Sequence, residues 1–167
     1  QDGPFSAGAD LQSMMPAFMS GGGKAIAPFE KQLQDFMLSL RYSNVPTVAA
    51  MHGLALGGGC ELAVHAAKRV AAMETYVGLV EVGVGLIPGG GGLAYLARRA
   101  AEQVEASKGV SGMVGAELMG FVKEGFQAAP MAKVATSAIE ARKFGYLLEG
   151  HVVVPNTDEV LSAAIHQ

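Results

Sequence analysis

Two glutamates stand where a carboxylate is out of place. Glu61 lies between Cys60 and the apolar run Leu62-Ala63-Val64, directly after three successive glycines, Gly57–Gly59. Glu81 sits in the stretch GLVEVGVGL, where every flanking residue is apolar or glycine. A lone glutamate is ordinarily a solvated surface charge. In apolar surroundings its charged form is disfavoured, which moves its pKa towards neutrality and fits it for general acid/base work. The glycines add a second chemistry, because a glycine lets a peptide N–H face a bound group with no side chain in the way. At a helix N-terminus those N–H groups are unpaired and the dipole favours negative charge. One N–H there, joined by another from the small-residue turn Ser6–Asp10, would make an oxyanion hole. A plain packing role for Gly57–Gly59, letting a helix approach a strand, stands beside that reading.

Other site chemistries fit less well. A phosphate loop needs a lysine and a hydroxyl after its last glycine, and neither Gly59 nor Gly92 is followed by them. The nearest match to a dinucleotide fingerprint, Gly83 to Gly89, has the wrong spacing and carries Pro88 in its turn. No histidine–cysteine spacing points to a metal. Cys60 reads as a small buried hydrophobe, and His52 and His65 as satisfied core or surface histidines. Met14, Met15, Met19 and Met37 suit either the lining of an acyl chain or the filling of loop and core.

The elements that must position these groups read as an α/β chain. Gln1–Leu11 is a strand end and turn, and Gln12–Ala27, with its SGGG, is expected as a mobile loop. Phe29, Leu33, Phe36, Met37 and Leu40 recur at helical spacing from Pro28 onward, and Asn44 and Pro46 end that helix. A strand over Thr47–Met51, the glycine turn, a helix over Cys60–Ala67 and a strand over Arg69–Met73 follow. A second turn spans Gly78–Gly92 and opens a helix, with another expected over 111–127. Thr136 or Ser137 as N-cap, with Glu140 three residues after Ser137, and Gly145 as the stop bound a further helix. His151–Val154 is a strand, and Asn156 caps the last helix.

With 167 residues, half of them apolar and only 16% charged, the chain suits one domain over residues 1–167. A net charge of −3 with no basic stripe argues against nucleic acid as partner. One cysteine excludes an internal disulfide and fits a reducing compartment, and no apolar run has the length of a membrane span. The first residue is Gln1, within a motif-like stretch, so the chain is expected to be a fragment of a longer protein.

FSAGADL, then VAAMHGLALGGGCELA, then YVGLVEVGVGLIPGGGG together resemble the crotonase (enoyl-CoA hydratase/isomerase) family, over residues 5–92. GLVEVGVGLIPGGGG combined with MAKVATSAIEARKFGYL resembles one branch more closely, the crotonase segment at the C-terminal end of long bacterial 3-hydroxyacyl-CoA dehydrogenase fusions. The resemblance implies a crotonase-like spiral of ββα units, incomplete at the N-terminus. It also implies that Gly58 N–H and Ala9 N–H bind a thioester oxygen. Glu61 and Glu81 are then the catalytic pair that adds water across the 2,3 double bond of an enoyl-CoA, with Ala7, Asp10, Gly57 and Gly89 beside the substrate. No cofactor is expected in this segment, NAD belonging to a covalently linked dehydrogenase upstream. The resemblance further implies a homo-oligomer in the bacterial cytoplasm. The chain departs from the family in lacking the strands before AGAD, which hold part of the adenine pocket. It also has LAYLARR where the family has a threonine-glutamine-arginine run, and residues 101–128 read as a rebuilt helical segment. An isomerase, another acyl-CoA enzyme of the same fold, or a non-catalytic assembly segment are the alternative readings.

Overall fold

Asp10 opens the first helix. Its carboxylate accepts the Gln12 and Ser13 N–H groups at 3.0 and 3.3 Å and so caps α1 (Leu11–Arg41). The computed structural model describes residues 3–111, 120, 122, 123 and 127–167, and the helix expected over 111–127 falls for the most part outside them. The stretch Gln12–Ala27, expected as a loop, is instead helical. Gln12, Met14, Met15, Ala17 and Met19 are good helix formers, and Asp10 supplies the cap. The glycine cluster shows itself as a single break at Gly22, whose φ of 57° and ψ of −148° leave the helical region.

Two successive ββα units follow. The first is β1 (Val48–Met51), β2 (Leu54–Leu56) and α2 (Gly58–His65). The second is β3 (Lys68–Ala72), β4 (Tyr76–Gly78) and, beyond a 3₁₀ turn at Glu81–Val84, α3 (Gly92–Ser111). β3 pairs in parallel with β1, and β4 in parallel with β2, so the second unit stacks on the first. This is the crotonase-like spiral. After α4 (Ala138–Lys143), β5 (Val152–Val154) joins β3 in parallel to give the order β1-β3-β5. The chain closes with a 3₁₀ turn at Thr157–Glu159 and α5 (Val160–Ile165). β2 and β4, three residues each, are strands that the periodicity missed.

Parallel strands buried on both faces divide the interior in two. Met51, Ala55, Val64, Leu79, Tyr95 and Tyr146 belong to the main core, while Val70, Ala72, Val154 and Val160 pack beneath α5. No described helix is long and apolar enough to cross a membrane. The edge next to β2 decides where the site forms. Ser6 N–H donates to the Leu54 carbonyl at 2.8 Å and its own carbonyl accepts Leu56 N–H at 3.0 Å. That pairing lays residues 7–10 against the glycine turn at the start of α2.

The contact is tight at one point. A Cβ on Gly59 would stand 2.5 Å from Ser6 Cβ and 2.8 Å from the Ser6 carbonyl oxygen. Gly59→Ala is expected to destabilise the chain by about 1–3 kcal/mol, the usual cost of overpacking. Gly23→Ala, with nothing within 4 Å of the new methyl, should be neutral or gain up to about 1 kcal/mol from helix propensity. Urea midpoints of the two variants test the difference, and equal midpoints would contradict the packing described.

Candidate active site

α2 begins at a backbone geometry that only glycine adopts easily. Gly57, its N-cap, has φ 54° and ψ −124°, and its N–H is held by the Gly78 carbonyl at 2.8 Å. The chain thereby leaves β2 and turns at once into the helix. Gly58 follows at the first helical position, where the N–H has no intrahelical acceptor. A Cβ on Gly58 would lie 4.0 Å from Ala9 N, so the two peptide groups are neighbours. Neither the Gly58 nor the Ala9 N–H has a hydrogen-bond partner among the described residues. Gly8, at φ 101°, makes the bend that brings Ala9 there.

Glu61 lies one turn into α2 and is 2% exposed. Each of its oxygens takes one backbone N–H from the loop before α3. Gly90 N–H donates to Oε2 at 3.0 Å and Gly92 N–H to Oε1 at 2.9 Å. A Cβ on Gly90 would collide with Oε2, so this loop must be glycine for the carboxylate to be reached. Burial pushes the Glu61 pKa up to about 7 against the opposing pull of the two N–H donors. The charge of Glu81 adds to the upward push.

Glu81 begins the 3₁₀ turn after β4. Both of its carboxylate oxygens are buried without a hydrogen-bond partner among the described residues. Burial raises its pKa above the ordinary carboxylate range. Oε1 would stand 3.5 Å from a Cβ on Gly57, so the absent side chain at the N-cap is what leaves room beside this carboxylate. Cys60, next to Glu61 in the chain, is fully buried. Burial, then the charges of Glu81 and Glu61, hold its thiol protonated, as expected of a small hydrophobe.

The other expected site positions divide. Ala7 is exposed on the turn between the Ser6 pairing and Ala9. Asp10 spends its carboxylate on capping α1, and Gly89 offers its carbonyl to Gln34 Nε2 at 2.8 Å. Gln34 is a contact that sequence reading missed, as are the Gly90 and Gly92 donors. The signal for the donors was present in IPGGGG, a glycine run without the residues of a phosphate loop, whose anion is a side chain of the protein itself. His65 is satisfied within the core, its Nδ1 donating to the Glu61 carbonyl at 2.7 Å.

Burial of Glu61 has a consequence for stability. Its folded pKa of about 7 exceeds the unfolded value of 4.5, so the folded state holds a proton that the unfolded state has lost between those values. Stability therefore falls as pH rises through this window, by about 3 kcal/mol in all for a shift of this size. Glu61→Gln should flatten that fall. Urea unfolding at intervals between pH 4.5 and 8 measures it, and a parent and variant with the same slope would contradict the burial described.

Known proteins resemble this chain in sequence and in fold. The sequence model of the enoyl-CoA hydratase/isomerase family matches residues 1–145. A probable 3-hydroxyacyl-CoA dehydrogenase of Bacillus subtilis is 36% identical over 157 residues, 94% of this chain and 18% of that protein. The mitochondrial methylglutaconyl-CoA hydratase of Homo sapiens is 45% identical over 96 residues, 58% of this chain and 27% of that protein. The chain thus spans less than a third of the length of either relative. Among solved structures, an enoyl-CoA hydratase from Polaromonas sp. JS666 superposes with a TM-score of 0.72 at 25% identity, covering 99% of this chain and 55% of that one. The family match spans both glycine turns and both glutamates, the fold match covers the stacked ββα units, and the chain belongs to the enoyl-CoA hydratase/isomerase family.

Proposed function

We propose that these residues carry an enoyl-CoA hydratase site, adding water across the 2,3 double bond of an enoyl-CoA thioester. The observation that carries this reading is a buried Glu61 and a half-buried Glu81 with its carboxylate oxygens out of solvent, both raised in pKa, near the Gly58 and Ala9 N–H groups that have no acceptor among the described residues. An enzyme that only polarises a thioester needs the donors. One that adds water also needs a group to take a proton from the water and a group to give one to carbon.

The thioester oxygen accepts from Ala9 N–H and Gly58 N–H. As the enolate forms, negative charge grows on that oxygen, and each donor contributes more in the transition state than in the ground state, typically ~3–4 kcal/mol. Water held between the carboxylates attacks C3, and its proton passes to Glu61. Glu81 delivers a proton to C2. The C2–C3 double bond becomes single, one C–O and one C–H bond form, and one proton has moved from Glu81 to Glu61. The forward step therefore needs one proton on the pair. Burial supports that count, since it raises both groups above the ordinary carboxylate range and so favours holding a proton on the pair. Proton return from Glu61 to Glu81 resets the site. Ala7, Gly57 and Gly89 keep their loops beside the substrate close and small, and Asp10 fixes the start of α1 next to them by capping it.

The similarity to a dehydrogenase that is much longer than this chain supports a second part of the reading. The segment belongs to a polypeptide that also oxidises the 3-hydroxyacyl-CoA that hydration makes, in the cytoplasm of a bacterium, and it oligomerises as crotonase folds do. NAD would bind the dehydrogenase part and not these residues.

Glu61→Gln and Glu81→Gln should each lower hydration by at least about a hundredfold in the polypeptide that carries this segment, with dehydrogenase activity retained. Loss of enoyl-thioester absorbance measures the first activity and NADH formation from a 3-hydroxyacyl-CoA the second. Hydration at the parent rate in either variant would overturn the assignment.

A further inference from the structure

At the opposite end of α2 from the glycine turn, a cavity of about 250 Å³ opens beside His65. Four arginines line it, Arg41, Arg69, Arg98 and Arg99, against one carboxylate, Glu102. Their side chains are not equally occupied. Arg69 is 4% exposed and braces the wall, donating to the Ala63, Val64 and Tyr146 carbonyls and to the Tyr95 hydroxyl at 2.9–3.0 Å. Arg98 and Arg99 share Glu102, at 3.2 and 2.6 Å. The Arg99 Nε is buried and has no hydrogen-bond partner among the described residues. Arg41, delivered by the last turn of α1, makes no ion pair or side-chain hydrogen bond among the described residues.

The two histidines of the lining sharpen the imbalance. His151 accepts the Leu148 N–H on Nδ1, which puts its proton on Nε2 and leaves a donor there. His65 uses Nδ1 on the Glu61 carbonyl. Burial, and then the surrounding arginines, hold His65 below its usual value and push His151 down to about 4. Crowded like charges in a partly enclosed space repel one another unless an anion joins them.

We propose that this cavity is a binding site for a phosphate-class oxyanion, free or carried on a small molecule, held by Arg41, Arg98 and Arg99. Guanidinium forks match the oxygens of such an anion two at a time, and a dianion offsets more of the crowded charge than a single carboxylate does. Arg41 is the donor left over for it, with Arg69 and Tyr95 as the fixed floor. This site is separate from the proposed thioester site and does not depend on that reading.

Thermal unfolding of the full chain in low-millimolar inorganic phosphate, or AMP, tests it, against chloride at the same ionic strength. The parent chain should show a saturating rise in Tm with at least one probe. A response to AMP alone identifies a carried phosphate, and a response to inorganic phosphate a free one. Arg41→Gln should leave the unliganded Tm little changed and weaken binding at least about tenfold, the loss expected for one hydrogen bond to a charged group. Arg98→Gln, titrated with the same probes by calorimetry, should weaken it likewise. General salt effects act equally on parent and variants. If neither probe exceeds chloride, or if the response survives unchanged in Arg41→Gln, the proposal is wrong.

Discussion

Two peptide N–H groups hold one buried carboxylate, and much of the molecule is arranged around that contact. Gly90 and Gly92 reach Glu61 from about 30 residues away in the chain. A glutamate at 2% exposure without those donors would face the cost of leaving buried oxygens unpartnered. With them, the loop before α3 is tied to α2, and α1 is tied to the loop in turn by Gln34 on the Gly89 carbonyl. The bonds stabilise the charged form while burial opposes it. Burial wins, and the result is a carboxyl that titrates near neutrality without being free to move.

The glycines that looked extravagant in the sequence have separate duties. Gly57 sets the turn and leaves room beside Glu81, Gly58 presents an N–H next to that of Ala9, and Gly59 lets the Ser6 pairing close onto α2. Gly90 and Gly92 do the reverse, turning backbone inward towards a carboxylate. One turn leaves its donors without an acceptor among the described residues and the other spends them on the protein's own carboxylate. The difference lies in which N–H groups are already taken, and no composition count reveals that.

The site was more legible than the scaffold. Apolar flanks marked Glu61 and Glu81, and the structure finds Glu61 buried, the Glu81 carboxylate oxygens out of solvent, and both groups raised in pKa. Ser137 capping α4 through the Glu140 N–H and Gly145 at φ 81° were local signals, and both hold. Three-residue parallel strands such as β2 and β4 carry too few residues for a period, and their partners are fixed by distant chain. The first half of α1 was misread because SGGG outweighed the Asp10 cap and the helix formers after it, although the break is confined to Gly22. His65 and the arginines of α3 were silent for another reason. Only the packing of α1, α2 and α3 brings Arg41, His65 and Arg98 to one cavity.

The central claim is that one thioester can meet two backbone donors and two carboxylates at the start of α2. A crystal structure of the polypeptide bearing this segment, with a 3-hydroxyacyl-CoA bound, tests it most directly. The account predicts the thioester oxygen within hydrogen-bond distance of both Ala9 N and Gly58 N, with C2 and C3 lying between Glu61 and Glu81. A thioester bound elsewhere, or either N–H closed off by the protein itself, would contradict it.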